Sequence, residues 1–214
     1  MLPPPFLANF LVDIIHRGGP IMYPVIAVAA FALCIVVERI VWWVRLATRR
    51  NNALVEQVYA ALESGHTAEA IEMSRDAKDP VVAMIHHGLN HPHTSLQNAL
   101  QVAAGLEIQK AGRFLTAMDT VVTLGPLLGL LGTVTGIMGS FQSIGGAELA
   151  VEKVTGGIGE ALIATAAGLG IAITVLVPMN YFHARLAKLQ FDLEVAATNV
   201  ELLLAGKHHE SSLV

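Results

Sequence analysis

Three stretches of this chain, residues 18–37, 120–147 and 161–182, contain no Asp, Glu, Lys or Arg. A hydrocarbon layer about 30 Å thick is crossed by roughly 20 helical residues, so each stretch is long enough to span it. The expected fold is therefore an all-α membrane protein with three transmembrane helices. Composition agrees, with 54% hydrophobic residues, only 14% charged residues and a mean hydropathy of +0.58. The net charge of -4 is modest and no basic run is interleaved with aromatics, which gives no sign of nucleic-acid binding. The single cysteine, Cys34, excludes an intramolecular disulfide and a cysteine-rich metal site; set in an apolar run, it is expected as a small packing residue.

The first uncharged stretch is long, follows a Pro-rich start, lacks a clear small-residue cleavage site and ends in "ERIVWWVRLATRR". We read it as a retained span and not as a secretory signal. Glu38 and Arg39 are expected near its inner end, Trp42 and Trp43 at the headgroup level, and Arg45, Arg49 and Arg50 beyond. Arg45, Arg49, Arg50, Arg75, Lys78, Lys110 and Arg113 lie between spans one and two, and Arg185, Lys188 and Lys207 follow span three. The opposite side holds only Arg17 and Lys153. The positive-inside rule then puts the N-terminus outside and the C-terminus in the cytoplasm, with long cytoplasmic helical extensions.

Between spans one and two the pattern is helical, with its own punctuation. Asp79-Pro80 fits an N-cap followed by Pro at the first helical position, and "TSLQ", Thr94 to Gln97, fits a capping box. No proline follows Thr94 until Pro126, so a helix starting there is expected to run on into span two. Another is expected to leave span three, where Leu186, Leu189, Leu193, Ala196, Val200 and Leu203 recur at steps of three or four. Pro178 falls late in that span, where a kink is compatible with the helix.

Span two contains "GPLLGLLGTVTGIMGSF", residues 125–141, in which glycines and hydroxyl residues occupy places where leucine would be more apolar. Lipid tails already satisfy leucine, so helices in a bilayer meet through close backbone packing and interhelical hydrogen bonds. On a wheel at 100° per residue Gly129, Thr133, Gly136, Ile137 and Ser140 fall within about 60° of their mean direction, and Gly125, Gly132 and Gly139 form a neighbouring stripe. Span three repeats the pattern with Ala161, Thr165, Gly168 and Ala172. Such faces serve tight packing, or offer hydroxyls to an interior cavity. Glu160 beside the third span is either a functional ionisable group or a carboxylate stabilised at a helix start.

Other motifs point nowhere further. "HHGLNHPH", His86 to His93, reads as polar loop residues ahead of a metal site, and no metal or cofactor is expected. "GPLLGLLGT" lacks the Gly-Lys-Ser/Thr ending of a phosphate loop, and no Ser/His/Asp or Cys/His arrangement is present, so the chain is not expected to be an enzyme.

The glycine-rich stretch followed by "GGIGEALIATAAGLGIAITVLVPMNYF" resembles the two pore-lining helices of the MotA/TolQ/ExbB proton-channel family. Three spans, an outside N-terminus and a helical insertion between spans one and two resemble the ExbB and TolQ branches more than four-span MotA. The usual Ala-Pro is Gly125-Pro126 here. The resemblance implies pore-lining roles for Thr133 and Thr165, a match of Glu160 to the acidic residue ahead of the second threonine, and a match of Asn180 to the amide near the inner helix end. Gly129, Gly132, Gly136, Ser140, Ala161 and Gly168 are the accompanying pore or packing residues. Glu160 lies about 140° from Thr165 on an ideal wheel, which directs it towards a subunit junction.

Threonine hydroxyls do not titrate near neutral pH and the centre of span two has no carboxylate, so a proton carrier has to come from water or another chain. The resemblance implies that it comes from a single-span ExbD-, TolR- or MotB-like subunit bearing an intramembrane aspartate, enclosed by a homopentamer in the bacterial inner membrane, with a TonB- or TolA-like envelope protein downstream. It also implies the division into a periplasmic segment (1–17), first span (18–44), cytoplasmic helical region (45–118), second span (119–147), periplasmic loop (148–157), third span (158–182) and cytoplasmic helix and tail (183–214). A non-conducting scaffold for a single-span partner and a small solute transporter are the alternatives.

Overall fold

The computed structural model describes residues 17–91, 95–142 and 150–211. Among these the chain is helical throughout, with no strand: α1 (Met22–Arg49), α2 (Asn52–Ser64), α3 (Thr67–Ser74), α4 (Pro80–Leu89), α5 (Leu96–Ala111), α6 (Leu115–Gln142) and α7 (Ala150–Ser211). Three stretches are long and apolar enough to cross a membrane, Met22–Arg49, Leu96–Phe141 and Val154–Ala205, with mean hydropathies of 2.3, 1.8 and 2.1. Pro126 lies inside α6 and Pro178 inside α7 without ending either helix. Residues 150–157, expected in a loop, are the start of α7.

The chain divides into two compact units, Met1–Arg39 with Phe114–Asn180, and Ile40–Arg113 with Tyr181–Val214. The second has a conventional apolar core in which Val58, Leu62, Val82, Ile85 and Leu100 meet Leu193 and Val200. The stripe foreseen on α7 is the one buried: Leu189, Leu193, Ala196 and Val200 are inside, while Leu186 and Leu203 pack partly buried against them. Burial of that stripe gives a helix leaving a membrane something to fold against, since water, unlike lipid, drives leucine inward.

Asp79 organises the polar part of this unit. It N-caps α4, accepting from the Val81 N–H at 2.8 Å with Pro80 at the first helical position, as expected. Its other oxygen accepts from the Asn51 N–H at 2.8 Å and lies 3.7 Å from the Arg50 guanidinium, which pairs at 2.8 Å with Asp192 of α7. A carboxylate with 1% of its surface exposed needs such partners, because an unpaired buried charge is costly. Asn51 in turn caps α2, which ends at Gly65 in the left-handed region, φ 86°. α5 begins with Ser95 at the N-cap position and without a side-chain cap bond; Thr94, the expected capping residue, lies outside the described residues.

Two further expectations are corrected. The helix foreseen from Thr94 into span two is interrupted by a turn at residues 112–114. The Gly112 N–H closes α5 on the Ile108 carbonyl at 2.8 Å, and Phe114, φ 66°, is the one non-glycine positive φ among the described residues. Absence of proline is a weak guarantee of helix continuity where glycine sits at the joint. Cys34 is not a packing residue within this chain: the buried face of α1 is Met22, Val25, Ala32, Ile35 and Arg39, and Cys34 is exposed on another side.

Arg39 is the largest fully buried side chain in the molecule's described part, 1% exposed. Its Nε donates to Glu38 at 2.7 Å, and its guanidinium lies 5.9 Å from the centroid of the Phe114 ring. Trp42 and Trp43 meet edge to face at 5.1 Å and pack, partly buried, against the core of the second unit.

Because Asp79 satisfies two backbone donors from different segments, Asp79→Ala should cost about 1–3 kcal/mol locally. Hydrogen exchange of the full chain in lipid nanodiscs should show amides of residues 81–89 exchanging roughly tenfold or more faster, as such a loss requires. Unchanged protection there would mean that α4 does not depend on this carboxylate.

Candidate functional site

Within the first unit, α6 and the first half of α7 meet along a seam of small residues running in opposite directions. A Cβ built on Gly125 would lie 2.8 Å from the Gly168 carbonyl oxygen, and one on Gly168 would collide with the Gly125 carbonyl. One turn on, a Cβ on Gly129 would lie 2.9 Å from Thr165 Cα; then Gly132 faces the Ala164 methyl and Gly136 the Ala161 methyl, at 2.6 and 3.0 Å by the same measure. At the end of the seam the Ser140 hydroxyl fills the space a side chain on Gly157 would need. Ala161 and Ala164, 2% and 0% exposed, complete the closely packed surface.

The hydroxyls divide into two kinds. Thr165 Oγ1 donates across the seam to the Gly129 carbonyl at 2.9 Å, an interhelical bond at a point where the backbones are closest. Thr133 instead donates to Leu130 O of its own helix at 2.7 Å, Thr135 to Leu131 O at 2.9 Å, and Ser140 to Gly136 O at 2.8 Å. A hydroxyl bonded in this way keeps its oxygen lone pairs available. Thr133 is partly exposed and stands one turn beyond Gly129 on α6, next to the seam residue Gly132.

Glu160 belongs to a different place. It is half-buried, packs against Gly19 ahead of α1, and lines a cavity of about 640 Å³ with Pro20, Ile21, Thr135 and Ser140. Neither Thr133 nor Thr165 lines that cavity. Gly19 has φ +69°, and a Cβ there would run into the Glu160 carboxylate, so this turn requires glycine for both conformation and space. Gly132 and Gly136 border the seam and the cavity, whereas Gly139 lines the cavity and has open space where a Cβ would be. Asn180 is exposed.

Sequence reasoning missed Gly19 and Thr135. Nothing local marks Gly19, because the contact that demands it comes from residue 160. Thr135 is the second threonine of "GTVTG", so its hydroxyl was visible in the sequence, but nothing local marks its place beside the cavity. His86 to Leu89, expected in a polar loop, are instead the last turn of α4, and His86 is engaged within the second unit, its Nδ1 3.0 Å from Ser74 Oγ and 3.1 Å from Ile71 O, and its Nε2 2.9 Å from Asn90. No group of three His, Cys, Asp or Glu placed to hold a metal occurs among the described residues, and His93 lies outside them.

Chemically, the seam carries hydroxyls and no titrating side chain. α6 carries no ionisable residue after Asp119. The remaining faces of α6 expose Leu127, Leu130, Leu131, Val134, Met138 and Phe141, a surface suited to lipid or to other chains.

The model of the MotA/TolQ/ExbB proton channel family matches residues 73–195. The "Putative biopolymer transport protein ExbB-like 3" of Synechocystis sp. is 32% identical over 199 residues, covering 90% of this chain and 94% of that protein. The Tol-Pal system protein TolQ of Pseudomonas aeruginosa is 39% identical over 114 residues, 53% of this chain and 49% of its own length. The biopolymer transport protein ExbB of Neisseria gonorrhoeae is 35% identical over 94 residues, 44% of this chain and 43% of its own length.

The seam makes opposite demands on two glycines of one helical turn. Gly168→Ala forces a methyl into the Gly125 carbonyl and should lower the stability of the full chain in nanodiscs by about 1–3 kcal/mol, as overpacking does. Gly170→Ala, built into open space, should not lower it. Equal thermal midpoints for the two variants would show that the backbones are not in contact.

Proposed function

The chain belongs to the MotA/TolQ/ExbB proton channel family, and from that premise we propose that it is the stator-like, non-enzymatic subunit of an inner-membrane motor that couples proton motive force to work on an envelope partner. What supports this most directly is a hydroxyl-bearing seam, Thr165 on Gly129 with Thr133 one turn away, on a span with no titratable residue after Asp119. Such a seam can solvate a proton carrier and cannot be one. In this reading the carrier is the intramembrane aspartate of a single-span ExbD-, TolR- or MotB-like subunit, surrounded by a homopentamer of this chain. Thr133 presents lone pairs to the protonated carboxyl, while Thr165 holds the two helices at the spacing the seam requires. Proton movement down the gradient supplies an electrical term of about 2.3 kcal/mol per charge per 100 mV. The partners further out are TonB-like or TolA-like, by analogy with relatives named ExbB and TolQ. The N-terminus faces the periplasm and the C-terminus the cytoplasm.

A scaffold reading draws on one observation, that the Thr165 hydroxyl already serves the Gly129 carbonyl. The variants separate the two. Thr133→Val removes a hydroxyl bonded only within its own helix, so assembly should persist while partner-dependent proton flux falls on the order of 10- to 100-fold, the effect of losing about 1.5–3 kcal/mol in a transition state. Thr165→Val should lower both stability and flux, and Thr165→Ser should restore both. Flux is measured in proteoliposomes holding the chain and its single-span partner under an imposed potential. Parent-rate conduction by both valine variants would leave the threonines as packing residues and favour the scaffold.

Topology has its own test. With Cys34→Ala as background, Arg49→Cys should be protected from a membrane-impermeant thiol reagent applied to intact cells and labelled in inverted vesicles. Labelling from outside would reverse the orientation.

A further inference from the structure

Within the second unit, the last turns of α1 have a covered side and an open one. Trp42, Trp43 and Leu46 pack against the core, whereas Ile40, Val41 and Val44 are exposed. Arg45 and Arg49 follow Val41 at steps of four, so both lie on the open side, one turn apart. The helix stays wound there, with Thr48 Oγ1 donating to the Arg45 carbonyl at 2.9 Å. Other cations of this unit are engaged: Arg50 with Asp192 and Asp79, Arg75 with Glu72, Lys110 with Glu107, and Arg185 with the Tyr181 hydroxyl. Arg45 and Arg49 have no hydrogen bond or ion pair among the described residues. Residues 40–49 contain no Asp or Glu that could reach them along the helix.

Two unpaired guanidiniums next to an exposed apolar stripe, at the end of a helix apolar enough to cross a membrane, suit a ligand that is anionic at one end and oily at the other. Arginine binds phosphate through paired N–H donors, and valine and isoleucine accept an acyl chain. We propose that Arg45 and Arg49 clasp the phosphate of an anionic phospholipid, of which phosphatidylglycerol is the simplest, with an acyl chain along Val44, Val41 and Ile40. A zwitterionic lipid suits the site less, since its ammonium meets no carboxylate on residues 40–49 and its zero net charge leaves both arginines uncompensated. An acidic protein segment would pair with the arginines but leave the apolar stripe uncovered. Arg49 also sits in the last turn of α1, where a cation offsets the helix dipole. That role is indifferent to the lipid, which separates it from the proposal. The site requires α1 to lie in a bilayer and does not require the chain to conduct protons.

The test uses the full chain in phosphatidylcholine nanodiscs, with Cys34→Ala removing the exposed native thiol and Val44→Cys carrying a fluorophore on the open side, one residue before Arg45. A minor fraction of the lipid is replaced by phosphatidylglycerol or phosphatidylcholine with brominated acyl chains, and contact quenching gives the relative occupancy of the two lipids at residue 44. Phosphatidylglycerol should be preferred by on the order of tenfold, since each arginine near a membrane surface contributes a factor of roughly five towards an anionic lipid. Arg45→Gln or Arg49→Gln alone should cut the preference by about that factor, and the two together should abolish it. Arg45→Lys with Arg49→Lys, which keeps both charges, should retain most of it. Should the double glutamine variant not reconstitute, the single variants and a rise in salt, which screens the pairing, make the same test. Equal quenching by the two lipids, a preference unmoved by the glutamine variants, or quenching by neither lipid would each overturn the site. The last result would show that protein covers the stripe.

Discussion

Contact between two backbones, with no side chain between them, is what the membrane half of this chain depends on. In water, leucines on facing helices would supply the attraction; in lipid they gain nothing by meeting, so dispersion between closely set backbones and hydrogen bonds must do it. Gly125 against Gly168 and Gly129 against Thr165 are the points of nearest approach, and the Thr165 hydroxyl closes the second of them on a carbonyl. A helical glycine is normally a liability of about 0.5–1 kcal/mol against alanine. Along the seam the same missing Cβ is what admits the opposing chain, so the residue that weakens each helix alone holds the pair together.

A buried guanidinium sets the second constraint. Arg39 falls on the otherwise apolar buried face of α1, and a charge there is tolerable only with partners. Glu38 supplies the opposite charge, and the face of Phe114 supplies a cation–π contact of about 0.5–2 kcal/mol. Phe114 stands in the left-handed region, at a cost of roughly 1–3 kcal/mol for a residue of its bulk. The joint between α5 and α6 is thus strained at the residue that lies against the arginine, and relaxing Phe114 into a continuous helix would move its ring.

Much of this was legible in the sequence, for reasons that differ by element. Three uncharged runs had to be helices in lipid, the Asp79-Pro80 cap is a purely local signal, and the leucine stripe of α7 repeats at a period that only a helix gives. The small faces of spans two and three were visible too, because glycine at helical spacing has little other use in a membrane helix. Three features were hidden. The break at Gly112–Phe114 depends on packing that proline counting does not see, and Cys34 looked like a packing residue because an apolar run does not reveal which of its faces another helix covers. Gly19 and Glu160 are 141 positions apart, and their contact has no signature in either neighbourhood. The sequence did place Glu160 away from the Thr165 face, and the structure likewise puts it in a cavity that neither threonine lines.

Between its first turn and Glu160, α7 reads Thr155-Gly156-Gly157-Ile158-Gly159. Three glycines in five residues weaken the helix there, at about 1 kcal/mol each against alanine. Only Gly157 among them meets an opposing side chain, that of Ser140; nothing lies where a Cβ on Gly156 or Gly159 would be. Unwinding a turn here sacrifices little packing, while the alanines and Gly168 further along keep the seam closed. The helix carrying Glu160 therefore has a weakly packed stretch immediately ahead of that carboxylate, while the residues that follow it are fixed by the seam.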